Sequence, residues 1–416
     1  MDVLRLATAG SVDDGKSTLI GRLLYDTKSI TNDKLEAVEA SSKRKGLDFV
    51  DLSLLTDGLI AEREQGITID VAHIYFSTEK RKYIIADTPG HVEYTRNMIT
   101  GASHAEASIV LVDARNGVSE QTRRHLFISS LLQIQTVLVA VNKMDLVNFD
   151  EGVFNGIRTN VLDIAHKIGF QGSFTFIPLA AKYGDNVVSL SSKIPWYTGK
   201  PLLEYLEELP VHQHDETLPA RFHVQSVIRP HSEEYHDFRG YAGKLVSGTL
   251  EVGQKVLSLP SLRESAIKSI YSGYNKIEKA RAGESLNIEL IDDIDVSRGN
   301  TLVPVGTSYE QIKDFTATLT WMDEQPLTAG KTFLLQHGVN RIKAKVTSFG
   351  HIIDMTSIEE KNDISQFRLN DIGEVQIKTA KPIFADIYKE NPRNGAFILI
   401  DEFNNHTVAV GFIEKL

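Results

Sequence analysis

Gly10-Ser11-Val12-Asp13-Asp14-Gly15-Lys16-Ser17 fits the pattern G-x-x-x-x-G-K-[ST], and its surroundings decide the fold. An apolar run, Val3 to Ala9, leads into it, and a helix-like run, Thr18 to Tyr25, leads out. Strand, glycine-rich loop, helix is the context in which this pattern cradles phosphate. The glycines let successive backbone N–H groups curl around phosphate oxygens. Residues Gly10 through Thr18 are then the expected phosphate-binding set. Lys16 would put a fixed positive charge on the β- and γ-phosphates, and the Ser17 hydroxyl would ligate Mg2+. The plain alternative is a surface turn with a solvated lysine, and the flanking strand and helix argue against it.

The same alternation continues outward. Tyr83-Ile84-Ile85-Ala86, Ser108-Ile109-Val110-Leu111-Val112, Val137-Leu138-Val139-Ala140-Val141 and Phe174-Thr175-Phe176-Ile177 are near-continuous apolar runs. Such runs fit parallel strands buried on both faces, with crossover helices between them. Glu120 to Leu132 is one such helix, with Leu126, Ile128, Leu131 and Leu132 at helical spacing. The texture changes at Leu209-Pro210. From Ala220 onward short alternating runs are punctuated by Ser247-Gly248, Val252-Gly253 and Arg298-Gly299, the pattern of small antiparallel barrels. A second break falls at Val305-Gly306-Thr307. The expected architecture is an α/β domain with a doubly wound, mostly parallel sheet over residues 1–210. Two antiparallel β-barrels follow, over 211–306 and 307–416.

Three further motifs follow the phosphate loop in order. Asp87-Thr88-Pro89-Gly90-His91 closes a strand. A carboxylate there can hold Mg2+ through water, and the Gly90 N–H can sense a γ-phosphate. Asn142-Lys143-Met144-Asp145 closes another. Asp145 can accept from guanine N1–H and the 2-amino group, which adenine does not offer, while Asn142 and Lys143 support the loop and cover the base. The nucleotide is therefore expected to be GTP rather than ATP. Between these elements lies Gly66-Ile67-Thr68-Ile69, where Thr68 could ligate Mg2+ and donate its N–H to the γ-phosphate. Weaker signals are His212-x-His214 with His231 and His236, which lack metal-site spacing. The basic clusters Lys80-Arg81-Lys82 and Arg123-Arg124-His125 read as solvated faces.

Composition narrows the field. Among 416 residues there is no cysteine, which excludes disulfides, thiolate metal sites and a thiol nucleophile. Lys and Arg total 45 against 55 Asp and Glu, a net charge of −10, so a nucleic acid is not the expected main partner. No run approaches the ~20 apolar residues that a membrane span needs, and Met1 to Arg5 has no export signature. The cytoplasm is the expected compartment.

With these motifs in order the sequence resembles translation-factor-type GTPases, the class of elongation factor Tu. More narrowly, Gly10 to Leu24, Ala61 to Ala72, Phe238 to Gly243 and Trp321 to Leu327 resemble the large, GTPase subunit of bacterial heterodimeric sulfate adenylyltransferase. True elongation factors carry histidine where Asp14 stands here. The resemblance runs over essentially the whole chain. It implies a subunit that binds and hydrolyses GTP beside a small ATP-binding subunit, which joins ATP and sulfate into adenosine 5′-phosphosulfate and pyrophosphate. It also implies that His91 orients the attacking water, flanked by Val12 and Ile67, with Lys16 and Thr68 completing the catalytic set. Ala180-Ala181-Lys182 matches the family's guanine loop, with alanine where serine is usual and the Ala181 N–H expected to reach guanine O6. No second phosphate loop and no S-G-G-x-D loop occurs, so adenylyl transfer falls to the partner.

Two other functions stay open on sequence alone. One is an elongation-factor-like GTPase delivering aminoacyl-tRNA, disfavoured by the −10 charge and Asp14. The other is a nucleotide-binding scaffold without turnover, disfavoured by the complete set of Lys16, Ser17, Thr68, Asp87 and His91.

Overall fold

The computed structural model describes residues 2–44, 50–55, 70–91, 95–210, 216–230 and 238–416. The chain divides into two compact units, residues 1–212 with 354–359 and residues 213–353 with 360–416. Among the described residues no helix is long and apolar enough to cross a membrane.

In the first unit six strands form one sheet: β1 (Val3–Ala9), β2 (Ala72–Ser77), β3 (Lys82–Asp87), β4 (Ala107–Asp113), β5 (Thr136–Asn142) and β6 (Ser173–Pro178). Their order is β2-β3-β1-β4-β5-β6. Only β2 runs antiparallel, against β3; the other neighbours are parallel. The helices are α1 (Lys16–Asp26), α2 (Asn32–Arg44), α3 (Thr95–Ala102), α4 (Glu120–Leu131), α5 (Glu151–Lys167) and α6 (Leu202–Glu208). Every residue of β4 and β5 is buried, as their unbroken apolar sequence requires. Leu4, Leu6, Ile109, Leu111, Leu138 and Ala140 pack with Leu19, Ile20 and Leu23 of α1 and Leu202 and Leu206 of α6. Each such leucine stabilises the fold by ~1.5–3 kcal/mol relative to exposure. This rigid sheet puts Gly10, Asp87, Asp113 and Asn142 at the carboxyl ends of β1, β3, β4 and β5, where open α/β sheets bind ligands.

The first unit overturns one sequence expectation. The two basic clusters are solvated only in part: Lys80 and Lys82 are exposed and Arg123 is half-buried, but Arg81, Arg124 and His125 are not on the surface. Arg81 is buried, donating to Leu206 O (2.9 Å) and Leu209 O (2.5 Å) and pairing with Asp2 (2.7 Å). Its Nη1 satisfies carbonyls at the end of α6 that no helical N–H can reach, while Nε and Nη2 hold the Asp2 carboxylate. Arg124 and His125 are buried on α4 as well, with His125 at 3.0 Å from Gln121 Nε2. Burial pushes the His125 imidazole down to about 3, with the charges of Lys16 and Arg124 acting the same way, so it is neutral at pH 7.

The second unit holds two closed rings of six antiparallel strands. In the first ring Lys255–Leu259 pairs with Thr301–Pro304 on one side and Arg263–Ser272 on the other, which completes the circle. Thr332–His337 closes the second ring in the same way, between Ala396–Ile400 and Asn340–Asp354. Phe222, Val224, Leu245, Ile267 and Ile288 fill one barrel; Phe315, Leu319, Trp321, Phe333 and Phe397 fill the other. Gly248 shows why the turn residues read correctly. Its φ is 73°, a left-handed conformation, and a Cβ there would collide with the backbone of Ala220.

A buried polar staple joins the two barrels. The Arg221 guanidinium donates to Asp386 (3.0 and 3.2 Å) and to Ser308 O (2.7 Å). Asp386 also accepts from Asn391 (2.8 Å) and Asn394 (2.9 Å). His223 Nε2 lies 3.0 Å from Asn394 Oδ1, and His337 Nε2 lies 2.8 Å from Asn394 O.

Candidate functional site

The phosphate loop begins where β1 ends. Its Asp13 and Gly15 take left-handed φ values of 68° and 95°, and Gly15 caps the N-terminus of α1. A Cβ on Gly15 would collide with Asn142 Nδ2, so the glycine is required by close approach as well as by φ. Ser11 N–H donates to Asp14 Oδ2 at 2.6 Å, and Asp14 N–H returns a bond to Ser11 O at 3.3 Å. Lys16 is buried, its ammonium donating to Gly10 O (2.8 Å) and Ser11 O (3.2 Å). Burial lowers the Lys16 pKa, opposed by Asp87, Asp14 and Asp13. Ser17 and Thr18 follow, half-buried in the first turn of α1.

Asp87, at the end of β3, is buried and accepts from Thr8 Oγ1 at 2.9 Å. Thr88 Oγ1 donates to Thr8 O at 2.5 Å, so the turn after β3 is sewn to β1 beside the loop. A Cβ on Gly90 would stand 2.5 Å from Lys16 Nζ and 2.6 Å from Gly10 O, so this backbone lies directly against the phosphate loop. His91 follows it and is exposed, as is Val12. Thr68 and Ile67 lie outside the described residues, as do His212, His214, His231 and His236.

Asn142 is the hub of the base-recognition loops. Its Nδ2 donates to Asp14 O (2.8 Å) and its Oδ1 accepts the Ala181 N–H (3.0 Å). The amide expected to face guanine O6 is thus engaged by Asn142 in this structure. Lys143 has a left-handed backbone (φ 62°) and sends its ammonium to Asp13 O and Asp113 Oδ2, the latter at 3.0 Å. Asp145 is half-buried on a 3-10 turn, Met144–Val147. Ala180 and Ala181 are fully buried, and Lys182 is exposed.

Three residues of this neighbourhood escape the motif reading. Asp113, at the end of β4, is 1% exposed. Burial pushes its carboxyl up, but the Arg115 guanidinium, the Arg115 N–H and Lys143 outweigh that and hold it at about 2. Arg115 grips Asp113 at 2.7 and 3.1 Å. Lys193 stands between two rings, its Nζ 5.6 Å from the Phe149 centroid and 5.4 Å from that of Tyr183, and pairs with Asp185 at 3.1 Å. It therefore ties the segment after Asp145 to the 180–184 turn. Asp113 had a readable signal, a carboxylate closing an apolar strand just as Asp87 does; Lys193 had none.

Four strand ends thus bring together a glycine-rich loop with a buried lysine, the buried carboxylates Asp87 and Asp113, and an N-K-x-D turn bonded to the loop and to Asp113. That arrangement defines a P-loop GTPase domain. The family model of the elongation factor Tu GTP binding domain matches residues 1–210, and the model of the GTP-eEF1A C-terminal domain matches residues 314–414. Sulfate adenylyltransferase subunit 1 of Citrobacter koseri is 46% identical over 415 residues, 99% of this chain and 86% of that protein. The bifunctional enzyme CysN/CysC of Mycobacterium tuberculosis is 45% identical over 412 residues, 99% of this chain and 67% of that protein. A solved structure of sup35 complexed with GDP is 21% identical, with a TM-score of 0.45, covering 100% of this chain and 94% of that one. The chain belongs to the family of sulfate adenylyltransferase subunit 1, within the elongation-factor-Tu-like GTPases.

Proposed function

We propose that this chain binds GTP with Mg2+ and hydrolyses it as the regulatory subunit of a sulfate adenylyltransferase. Hydrolysis is coupled to the formation of adenosine 5′-phosphosulfate and pyrophosphate from ATP and sulfate in a small ATP-binding partner, with which it forms a heterodimer in the cytoplasm. Adenylylation of sulfate is strongly uphill, so the coupling has a thermodynamic use. The observation that carries the reading is the family membership over 99% of the chain, supported by Lys16 after β1, Asp87 at the end of β3 and Asn142 at the end of β5 on one edge of the sheet.

The residues present fit the ligand. Gly15 and Gly90 keep the loop free of side chains where backbone must approach closely. Gly10, Ser11, Val12, Asp13, Asp14, Gly15, Lys16, Ser17 and Thr18 hold the phosphates, with Lys16 as their fixed charge. Ser17, Thr68 and Asp87 are the oxygen donors suited to Mg2+, which when bound neutralises charge on the β- and γ-phosphates. The Gly90 N–H faces the γ-phosphate, and His91 orients the attacking water by position. Asp145 selects guanine; Asn142 and Lys143 hold its loop; Ala180, Ala181 and Lys182 close the far side of the base. The domain limits that go with this reading are 1–210, 211–306 and 307–416.

The test is pyrophosphate release from the chain purified with its small partner. Release should require ATP and sulfate and should rise when GTP is added. A rate indifferent to GTP would remove the coupling.

A further inference from the structure

Lys143 reaches from the end of β5 back to the phosphate loop, where its ammonium donates to Asp13 O. A lysine stem carries ~2 kcal/mol of rotamer entropy, so something must hold it there. Asp113 does. It stands beside Asn142 in the parallel register of β4 and β5, buried to 1% exposure, with Oδ2 at 3.0 Å from Lys143 Nζ. The carboxylate cannot swing away. Arg115 Nη2 grips it at 2.7 Å and Arg115 Nε at 3.1 Å, while the Arg115 N–H donates at 2.9 Å. Lys143 is thereby held with its ammonium across the loop, a cation of the sign a polyphosphate needs.

We propose that Asp113 is a positioning residue: it fixes the Lys143 ammonium across the phosphate loop and so sets guanine-nucleotide affinity, an inference that rests on the nucleotide-binding reading above. Because Asp113 acts through Lys143 and not on the edge of the base, it adds affinity without adding selectivity. Nucleotides that differ only at the purine 2-position gain equally.

The test is calorimetric titration of the full chain in Mg2+ with GTP and with ITP, whose base lacks the 2-amino group. Asp113→Asn should weaken both by about tenfold, the low end of what a charge-assisted hydrogen bond contributes. Lys143→Met should weaken both as well. The double variant should bind within about twofold of Lys143→Met alone, since contacting residues in one network are not additive. Arg115→Met leaves the carboxylate but removes its grip; it should weaken both nucleotides in the same ratio, and it serves if Asp113→Asn does not fold. Affinity unchanged by Asp113→Asn or by Arg115→Met, a changed GTP-to-ITP ratio, or multiplicative losses in the double variant would each overturn the inference. If the unaltered chain takes up neither nucleotide, the site reading itself fails.

Discussion

Replacing Asp14 by asparagine should stabilise the nucleotide-binding unit, by an amount that depends on pH. Asp14 is 6% exposed, its carboxylate accepting Ser11 N–H at 2.6 Å behind the phosphate loop. Burial pushes its pKa from 3.8 up to about 6, aided by nearby Asp113 and opposed by the Ser11 N–H, Lys16 and Lys143. A carboxyl whose folded pKa lies above its unfolded one holds its proton more tightly when folded. Its ionisation therefore costs the folded state nothing below pH ~4 and the full difference above pH ~6. A shift of about two units corresponds to about 3 kcal/mol at pH 7, and about half of that at pH 5. Asn keeps an oxygen for Ser11 N–H and carries no charge. Urea unfolding, followed by Trp196 fluorescence in a shared Trp321→Phe background, compares the two chains between pH 5 and 8. The advantage of Asp14→Asn should widen with pH and level off by pH 7. A gap that stays flat, or that narrows toward high pH, would refute a buried, charged Asp14.

Asp145→Asn should shift preference from GTP toward XTP, because the amide can donate to the xanthine 2-oxo group; competition binding with both nucleotides decides it. His91→Ala should retain GTP binding while slowing phosphate release by ~10²-fold, the general scale of a positioning group, and wild-type turnover would remove His91 from the chemistry. Burial pushes His223 down to about 4 and lowers His337 too, so both are neutral in the folded chain at pH 7. The unfolded imidazoles bind protons below pH ~6.5, and the barrels should lose about 2 kcal/mol through His223 alone on going from pH 8 to pH 5. His223→Gln should flatten that acid slope in denaturant unfolding, and an unaltered slope would clear His223 of the effect.

Much of the nucleotide-binding unit was legible because its information is local. The strands through Val110 and Val139 announce themselves as near-continuous apolar runs, which a sheet covered on both faces buries completely. Glycine at positions 15 and 248 marks backbone that no other residue adopts easily. Ordered motifs located Lys16, Asp87 and Asn142 for a similar reason: phosphate chemistry fixes residue types at fixed spacing. What stayed hidden depends on distant partners. Arg81 looks like a surface charge beside Lys80 and Lys82 until its carbonyl acceptors, more than a hundred residues later, are seen. His125 reads as polar for the same reason. Lys193 follows no motif, and its role exists only because Phe149 and Tyr183 fold to either side of it. The engagement of the Ala181 N–H by Asn142 was equally out of reach, since two loops 39 residues apart must meet before the bond exists.

The staple of Arg221, Asp386, His223, His337 and Asn394 has a mechanical consequence. Arg221, His223, His337 and Asn394 are buried and Asp386 serves several donors, so sliding one barrel over the other would strand several polar groups at once. The joint therefore behaves as a weld rather than a hinge. Shear between the two cylinders must break several of these polar contacts together.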